Sequence, residues 1–253
     1  MIIKYSDEFI KANPWIYKEI SSSSFQSFVK YIVNSDYRKS VVLTEWLDEQ
    51  IKNPSFELQR IAEQISYGEN MDQAAINVLA WVKNNIVWVS DNDTWKMNEY
   101  WATAHDTATR WYVWNGNKLQ FVGTGLQKPN EKAFRAGDCD DGAILIAVLC
   151  HLKGIPEDRI YIAAGDVEHP NGGIVGHAWA AYRPKNYPLN WIFLDWCYHD
   201  TLNDLNNRPM YYIKKNRING YIFSTGYITK LDERYKTIWF IFNNQNSHYL
   251  INL

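Results

Sequence analysis

The sequence lacks the features that mark membrane-spanning and secreted proteins. No apolar run approaches the roughly 18 residues of a membrane-spanning helix. The first 30 residues lack the charged start, apolar middle and small-residue cleavage site of a signal peptide. We therefore predict a cytoplasmic protein with no membrane partner.

Cysteine is also scarce, with only Cys139, Cys150 and Cys197 in the chain. Three cysteines do not form a disulfide framework. Cys139 and Cys150 fall three turns apart on one predicted helix, so they cannot bridge each other. No Cys-x-x-Cys pair offers a zinc site. We expect a reducing compartment, with Cys150 and Cys197 buried as small apolar side chains.

Strong charge of one sign is absent too. The net charge is −2, and the one notable basic cluster, residues 214–217, is predicted to be a solvated loop, which argues against a nucleic-acid partner. Residues 91–93 resemble the start of a calcium loop but lack its glycine and closing glutamate. His199 and His248 have no accompanying ligands. The sequence therefore predicts no metal and no cofactor.

The chain has enough apolar residues to form a full hydrophobic core. Hydrophobic residues make up 46% of its 253 residues. Residues 1–70 show amphipathic helical periodicity without chemical motifs, and we interpret them as an N-terminal helical extension that could meet a protein partner. Residues 71–253 are predicted to form the main domain. Within it, residues 111–133 carry Asn115-Gly116 between two strand-like runs and are predicted to be a hairpin insertion with a type I′ turn at Asn115-Gly116.

The main domain is organised around one stretch, Ala136 to Gly142, and an apolar run to Leu152. The run is apolar all round and ends before Gly154 and Pro156, which predicts a buried helix. Cys139 falls at its N-terminus, where free N–H groups and the helix dipole favour a thiolate. The neighbouring aspartates oppose ionisation, so a basic partner is needed. The alternative is a small core residue that happens to lie at a helix cap.

A basic partner follows downstream. Two strand-like runs, residues 174–183 and 191–197, flank a loop whose prolines are symmetric about Asn186. An antiparallel hairpin centred there places Ala181 opposite Trp191, Trp179 opposite Phe193 and His177 opposite Asp195, all on one face. Asp195 could then hold one imidazole nitrogen and leave the other to take a proton from Cys139. The alternative is a core histidine, although a lone buried carboxylate is costly.

These motifs resemble the transglutaminase-like superfamily of papain-like cysteine enzymes, and most closely its bacterial transglutaminase-like cysteine proteinases. The resemblance covers about Met71 to Asp195 and rests on four segments: Gly137–Asp141, Gly154–Pro156, Gly176–Trp179 and Trp191–Asp195. It implies that Cys139 is the nucleophile, His177 the general base and acid, and Asp195 the orienting carboxylate. It also implies that Trp101 and the backbone N–H of the nucleophile hold the oxyanion. Two departures are the 111–133 insertion and the Trp196-Cys197 pair after Asp195.

The resemblance implies an α+β fold in which the buried nucleophile helix packs on an antiparallel sheet. It also implies thiol-dependent acyl transfer or hydrolysis at a peptide or isopeptide amide of a peptide or protein substrate. Two alternatives remain at this point: a catalytically silent module used for assembly or binding, and an amine-accepting transglutaminase. A low pKa and selective alkylation of Cys139 would favour an enzyme over a silent module.

Overall fold

The computed structural model has the α+β architecture that the sequence predicts. It describes the following residues: 43–185, 190–198, 205, 208, 210–218, 221–228, 234–245 and 247–249. The first 42 residues of the N-terminal extension predicted to meet a partner, His199 and the loop centre at 186–189 lie outside this set. None of the helices in the described residues is long and apolar enough to cross a bilayer.

Six α-helices are described: α1 Leu43–Lys52, α2 Phe56–Gln64, α3 Met71–Asn85, α4 Asp91–Thr94, α5 Ala104–Thr109 and α6 Cys139–Leu152. Side chains fix two of the starts, because Ser55 accepts from Leu58 N and Asn70 accepts from Gln73 N. Helix α5 is short and does not include Trp101. It begins only at Ala104, after the Thr103 N-cap.

Eleven β-strands are described: β1 Ile86–Trp88, β2 Arg110–Asn115, β3 Lys118–Thr124, β4 Arg135–Gly137, β5 Ile160–Glu168, β6 Ile174–Tyr182, β7 Asn190–Leu194, β8 Met210–Ile218, β9 Tyr221–Ile228, β10 Tyr235–Phe242 and β11 Ser247–Tyr249. The last seven form one antiparallel sheet in the order β11-β10-β5-β6-β7-β8-β9. The basic cluster predicted as a loop therefore lies within β8, while β1 and β4 form a small parallel pair.

Helix α6 packs against one face of the large sheet. Its residues from Asp140 to Cys150 are all buried, as expected for a helix that is apolar on every side. Alternation along the strands separates two cores. Ala178 and Ala180 of β6 join the core around α6, whereas Trp179 and Ala181 join an aromatic cluster on the opposite face.

The part of the N-terminal extension that is described belongs to the same core. Leu43 and Leu47 of α1 and Leu58 and Ile61 of α2 are buried in the cluster that contains α6. Residues 43–70 are therefore packed as part of the main body of the domain.

The insertion forms the predicted hairpin, in which β2 and β3 pair antiparallel. Its turn differs from the prediction. Asn115 pairs with Lys118, so the central residues are Gly116 and Asn117, and only Gly116 has a positive φ, of 60°. A positive φ at the first central position alone is the type II′ pattern, whereas the predicted type I′ turn needs it at both.

The register of β6 and β7 also differs from the prediction. Ala181 pairs with Phe193, whereas loop symmetry predicted Trp191 opposite Ala181. The shift is two residues, and because side chains alternate with period two, it leaves every residue on its predicted face. His177 and Asp195 therefore remain on one face, diagonal to each other.

Candidate active site

The first residues of α6 bring Cys139 to the edge of β6. Asp138 is the N-cap, and its N–H donates to Asp141 Oδ2 at 3.3 Å in a capping-box arrangement. Cys139 is the first helical residue and is partly exposed. Its sulfur accepts from the backbone N–H of Ala178 and lies 3.8 Å from Asp140 Oδ1. The nucleophile candidate is thus held beside the residue that follows His177.

His177 and Asp195 are in contact, as predicted. Nε2 of His177 lies 2.6 Å from Asp195 Oδ2, and both side chains are buried. With Nε2 bound to the carboxylate, Nδ1 is the ring nitrogen left for proton exchange. The ring is also packed between aromatic neighbours, 5.7 Å from Trp179 and 4.7 Å from Tyr198 between centroids. The imidazole is therefore fixed in orientation from two directions.

Tyr235 is a third member of this group that the sequence analysis did not identify. Its hydroxyl donates to Asp195 Oδ2 at 2.6 Å, and the Cys197 N–H donates to Oδ1 at 2.7 Å. Tyr235 lies on β10, two strands away from β6 across β5. Burial alone would raise the pKa of Asp195, but the charge and hydrogen bond of His177, with Tyr235 and Cys197, hold it at about 2.

The acidity of Cys139 is opposite to the expectation from its helix position. Burial raises the pKa of the Cys139 thiol well above its ordinary value, and the Asp138 carboxylate adds to this effect. The Ala178 N–H acts in the other direction without reversing the shift. The neutral thiol is therefore the resting form, and ionisation requires that a base remove the proton or that the neighbouring negative charge be offset.

We expect Asp138→Asn to make Cys139 more reactive, because it removes the charge that raises the thiol pKa most and retains an acceptor at the N-cap. A pKa lower by one unit would raise alkylation by iodoacetamide at pH 7 about tenfold. Asp158→Asn removes an equal charge beyond the opposite end of α6 and should leave the rate unchanged. Equal rates in wild type and Asp138→Asn would show that burial alone sets the pKa.

Trp196, which departs from the family pattern, connects the Asp195 turn to the nucleophile helix. The predicted strand 191–197 ends at Leu194, and residues 196–198 form a turn. The indole N–H of Trp196 donates to the Cys139 carbonyl at 3.4 Å. A Cβ on Gly142 would lie 2.0 Å from Trp196 Nε1, so glycine is required for this close approach.

Cys197 is not the fully buried apolar side chain that the sequence predicted. It is partly exposed, and its sulfur, a nitrogen of His177 and an oxygen of Asp195 all lie within 4.8 Å of one another. Burial and then Asp195 raise its pKa well above the ordinary value, so it stays a neutral thiol. Cys150 is fully buried, as predicted, and burial raises its pKa.

Backbone hydrogen bonds of the residues on either side of Trp101 hold it near the start of α6. Ala102 N donates to Asp141 Oδ1 at 2.8 Å, and Tyr100 N donates to Asp91 Oδ2 at 2.5 Å. The Trp101 indole N–H donates to Glu99 Oε1 at 2.8 Å. A role for that N–H at an oxyanion would therefore require exchange of this hydrogen bond.

Carboxylates from three segments meet around the helix start, which no local motif revealed. Asp91, Asp138 and Asp141 form one group with oxygens within 4.8 Å of one another, and Asp91, Glu99 and Asp140 form another. Three of these oxygens are buried without a hydrogen-bond partner: Asp91 Oδ1, Asp138 Oδ1 and Asp140 Oδ2. An all-oxygen donor set with orphaned oxygens fits a hard cation such as calcium.

Burial and mutual repulsion raise the pKa values of these carboxyl groups. Burial first, and Asp138 second, raises the pKa of Asp91 to about 8. The pKa values of Asp140 and Asp141 are raised well above the ordinary value by the same two causes. A divalent cation would favour the ionised form of each carboxylate.

We expect calcium to raise the melting temperature by about 5 °C or more at 100 times its dissociation constant. Differential scanning fluorimetry of the intact chain, with magnesium as the comparison ion, measures this shift. Asp140→Asn should reduce it, whereas Asp158→Asn, which removes a charge outside the cluster, should not. If calcium has no effect and Asp140→Asn is itself stabilising, the cluster is a site of like-charge repulsion only.

Comparison with known proteins gives the family of the chain. No curated protein matches the chain. Solved structures of LapG from Legionella pneumophila overlap it at 12% identity, with 82% of this chain and 87% of that chain covered and a TM-score of 0.42. A calcium-bound LapG structure overlaps at 13% identity, 94% and 86% coverage and a TM-score of 0.37. A family model described as a transglutaminase-like domain matches residues 56–218, and the chain therefore belongs to the transglutaminase-like family.

Proposed function

We propose that the protein is a cysteine hydrolase or acyltransferase that acts on amide bonds of peptide or protein substrates. The observation that carries the proposal is the buried His177–Asp195–Tyr235 group beside Cys139. A buried imidazole held by a carboxylate of low pKa is a costly arrangement that suits general base catalysis. The proposal includes no nucleic-acid or membrane partner.

In the first step, Nδ1 of His177 takes the thiol proton while the Cys139 sulfur attacks the amide carbon. The negative charge that develops on the carbonyl oxygen would be stabilised by the backbone N–H of Cys139, because the other N–H groups of the first turn of α6 already donate to Asp138. Collapse of this intermediate expels the amine, which takes the proton from His177, and leaves a thioester. Water or a second amine then releases the acyl group and regenerates the thiol.

A cation at Asp138 and Asp140 would supply electrostatic compensation in this scheme. Asp138 is the charge that contributes most to the raised pKa of Cys139. Offsetting it would lower the thiol pKa and ease the removal of its proton.

The test is a comparison of peptides released from a proteome by wild-type protein and by Cys139→Ala. New peptide ends that require Cys139 would support hydrolysis. Products that carry an added amine in the presence of a primary amine would identify an amine-accepting transglutaminase. A result with neither product, and with Cys139 alkylation indifferent to His177→Ala, would favour a silent module used for assembly or binding.

The oxyanion role proposed for Trp101 has its own test. Trp101→Phe keeps an aromatic ring beside Phe240 and Phe242, whose centroids lie 6.4 and 6.0 Å from that of Trp101, but it is smaller than the indole and lacks the N–H. If that N–H exchanges Glu99 for the oxyanion, kcat on a peptide found in the proteome comparison should fall about 100-fold with KM nearly constant. Glu99→Gln is the comparison variant, because it weakens the competing bond without removing the donor. An unchanged kcat in Trp101→Phe would leave the backbone N–H of Cys139 as the donor.

A further inference from the structure

The strand that carries His177 is longer than the strand beside it. β6 pairs with β5 along its whole length, from Ile174 opposite Glu168 to Tyr182 opposite Ile160. Its pairing with β7 covers only residues 180–182. Within the described part of the chain, residues 174–179 therefore have β5 on one side and no strand on the other.

The hydrogen bonds show which backbone groups face the uncovered side. Asp166, the partner of Gly176, donates its N–H to Thr237 Oγ1 on β10 at 3.3 Å, away from β6. In an antiparallel pair of strands, a residue whose N–H and C=O point away from the partner strand belongs to a non-hydrogen-bonded pair. Gly176 must likewise turn its N–H and C=O away from β5.

Alternate residues of a strand point to the same side, so Ile174 and Ala178 share this direction with Gly176. The Cys139 sulfur gives an independent check, because it accepts from the N–H of Ala178. The uncovered groups of β6 thus form a row that ends at the nucleophile. We call residues Ile174–Gly176 the β6 edge.

The β6 edge is open to solvent. Ile174 is 56% exposed and Val175 is 37% exposed, and Gly176 is exposed as well. A Cβ at Gly176 would lie 3.0 Å from Trp239. Without a side chain, Gly176 leaves the neighbouring backbone N–H and C=O groups accessible. Unpaired strand edges readily accept another strand, and native proteins usually protect them.

Resting on the proposed function, we propose that the β6 edge binds the backbone of an extended polypeptide substrate as an added strand, which delivers the scissile carbonyl to Cys139. The N–H and C=O groups of Ile174 and Gly176 repeat every two residues, about 6.6–6.8 Å, and match the repeat of an extended chain. Backbone pairing of this kind supplies affinity that depends little on sequence. The substrate class is therefore a segment that is unfolded or strand-like, since a helix has no free backbone groups to offer.

Peptidyl chloromethyl ketones provide the probe. The Cys139 sulfur forms a bond to the methylene carbon, the carbon–chlorine bond breaks, chloride leaves and the thiol proton passes to His177. Acetyl-tetra-alanyl chloromethyl ketone should alkylate Cys139 faster than the acetyl-alanyl compound. N-methylation along the tetrapeptide should slow it about 2- to 10-fold per lost hydrogen bond at alternate positions only. Mass spectrometry separates the Cys139 adduct from any Cys197 adduct.

A variant pair tests the protein side of the contact. Ile174→Pro removes an N–H that faces the open side, and proline is tolerated at the first residue of a strand. It should remove most of the gain from the longer peptide while iodoacetamide labels Cys139 at the wild-type rate. Ile174→Ala shortens the side chain but keeps the N–H, so it should retain the gain. Circular dichroism and melting temperature check that both variants are folded.

The two proposals can fail separately. A flat N-methyl scan, or equal behaviour of Ile174→Pro and Ile174→Ala, overturns strand pairing even if iodoacetamide labelling of Cys139 depends on His177. Labelling that does not depend on His177 overturns the proposed function. An alternating N-methyl pattern that Ile174→Pro abolishes supports the strand pairing.

Discussion

Replacing Asp195 by asparagine should lower turnover by about 10³- to 10⁴-fold while the protein stays folded. The amide keeps an acceptor for the Cys197 N–H but presents an N–H group to His177, where the carboxylate presents only acceptors. Nε2 must then become the acceptor, and the proton moves to Nδ1. The nitrogen needed to take the thiol proton is blocked, so the loss should appear in kcat. A turnover within tenfold of wild type would contradict the role of Asp195.

Tyr235→Phe is the matched variant, because it removes one hydrogen bond to Asp195 and keeps the carboxylate and the ring. We expect a loss of about tenfold or less, since the pair of His177 and Asp195 survives. Asp195→Ala differs in kind: it leaves a buried imidazole and a buried hydroxyl without their partner, at a cost of about 3–5 kcal/mol. Comparing the three separates loss of orientation from loss of fold.

The same carboxylate predicts acid sensitivity. Its folded pKa of about 2 lies below the unfolded value of roughly 3.9, so its contribution to stability is complete above pH 4 and is lost as the pH falls through 2. That contribution is on the order of 2–3 kcal/mol. In Asp195→Asn, the free energy of unfolding should depend less on pH between 4 and 2 than in wild type.

The sequence predicted the buried helix, the hairpin insertion and the approach of His177 to Asp195 because each depends on local or period-two patterns. The helix is apolar on every side, and burial of its residues follows directly. The predicted register was wrong by two residues, yet the prediction of the His177–Asp195 contact survived, because a shift of two keeps the face. A shift of one would have separated the pair.

The sequence did not reveal contacts between distant segments. Tyr235 reaches Asp195 from 40 residues away through the order of strands in the sheet, which no local pattern encodes. Asp91 joins Asp138 and Asp141 for the same reason. The sequence placed Cys139 between a helix end that favours the thiolate and aspartates that oppose it, and it could not show the burial that, with Asp138, decides the balance.

Gly142→Ala should have the second large effect. It should destabilise the protein, whereas replacing glycine by alanine inside a helix usually stabilises one. In a helix interior, alanine is normally more stable than glycine by about 0.5–1 kcal/mol. Here the added Cβ would lie 2.0 Å from Nε1 and 2.4 Å from Cε2 of Trp196, and the indole is itself buried. The ring must move, and overpacking of this kind costs about 1–3 kcal/mol, so we expect net destabilisation in urea unfolding.

Movement of Trp196 should also disturb the positions of Asp195 and Cys139, because Trp196 directly follows Asp195 in the chain and donates to the Cys139 carbonyl. Gly142→Ala should therefore lower turnover although it touches neither His177 nor Asp195. Trp196→Phe gives a smaller ring, and the double variant Gly142→Ala with Trp196→Phe should recover part of both losses. The coupling in this double-mutant cycle should exceed about 0.5 kcal/mol. Additive effects, or a Gly142→Ala protein at least as stable as wild type, would show that Trp196 can leave Gly142 without disturbing the helix or the turn.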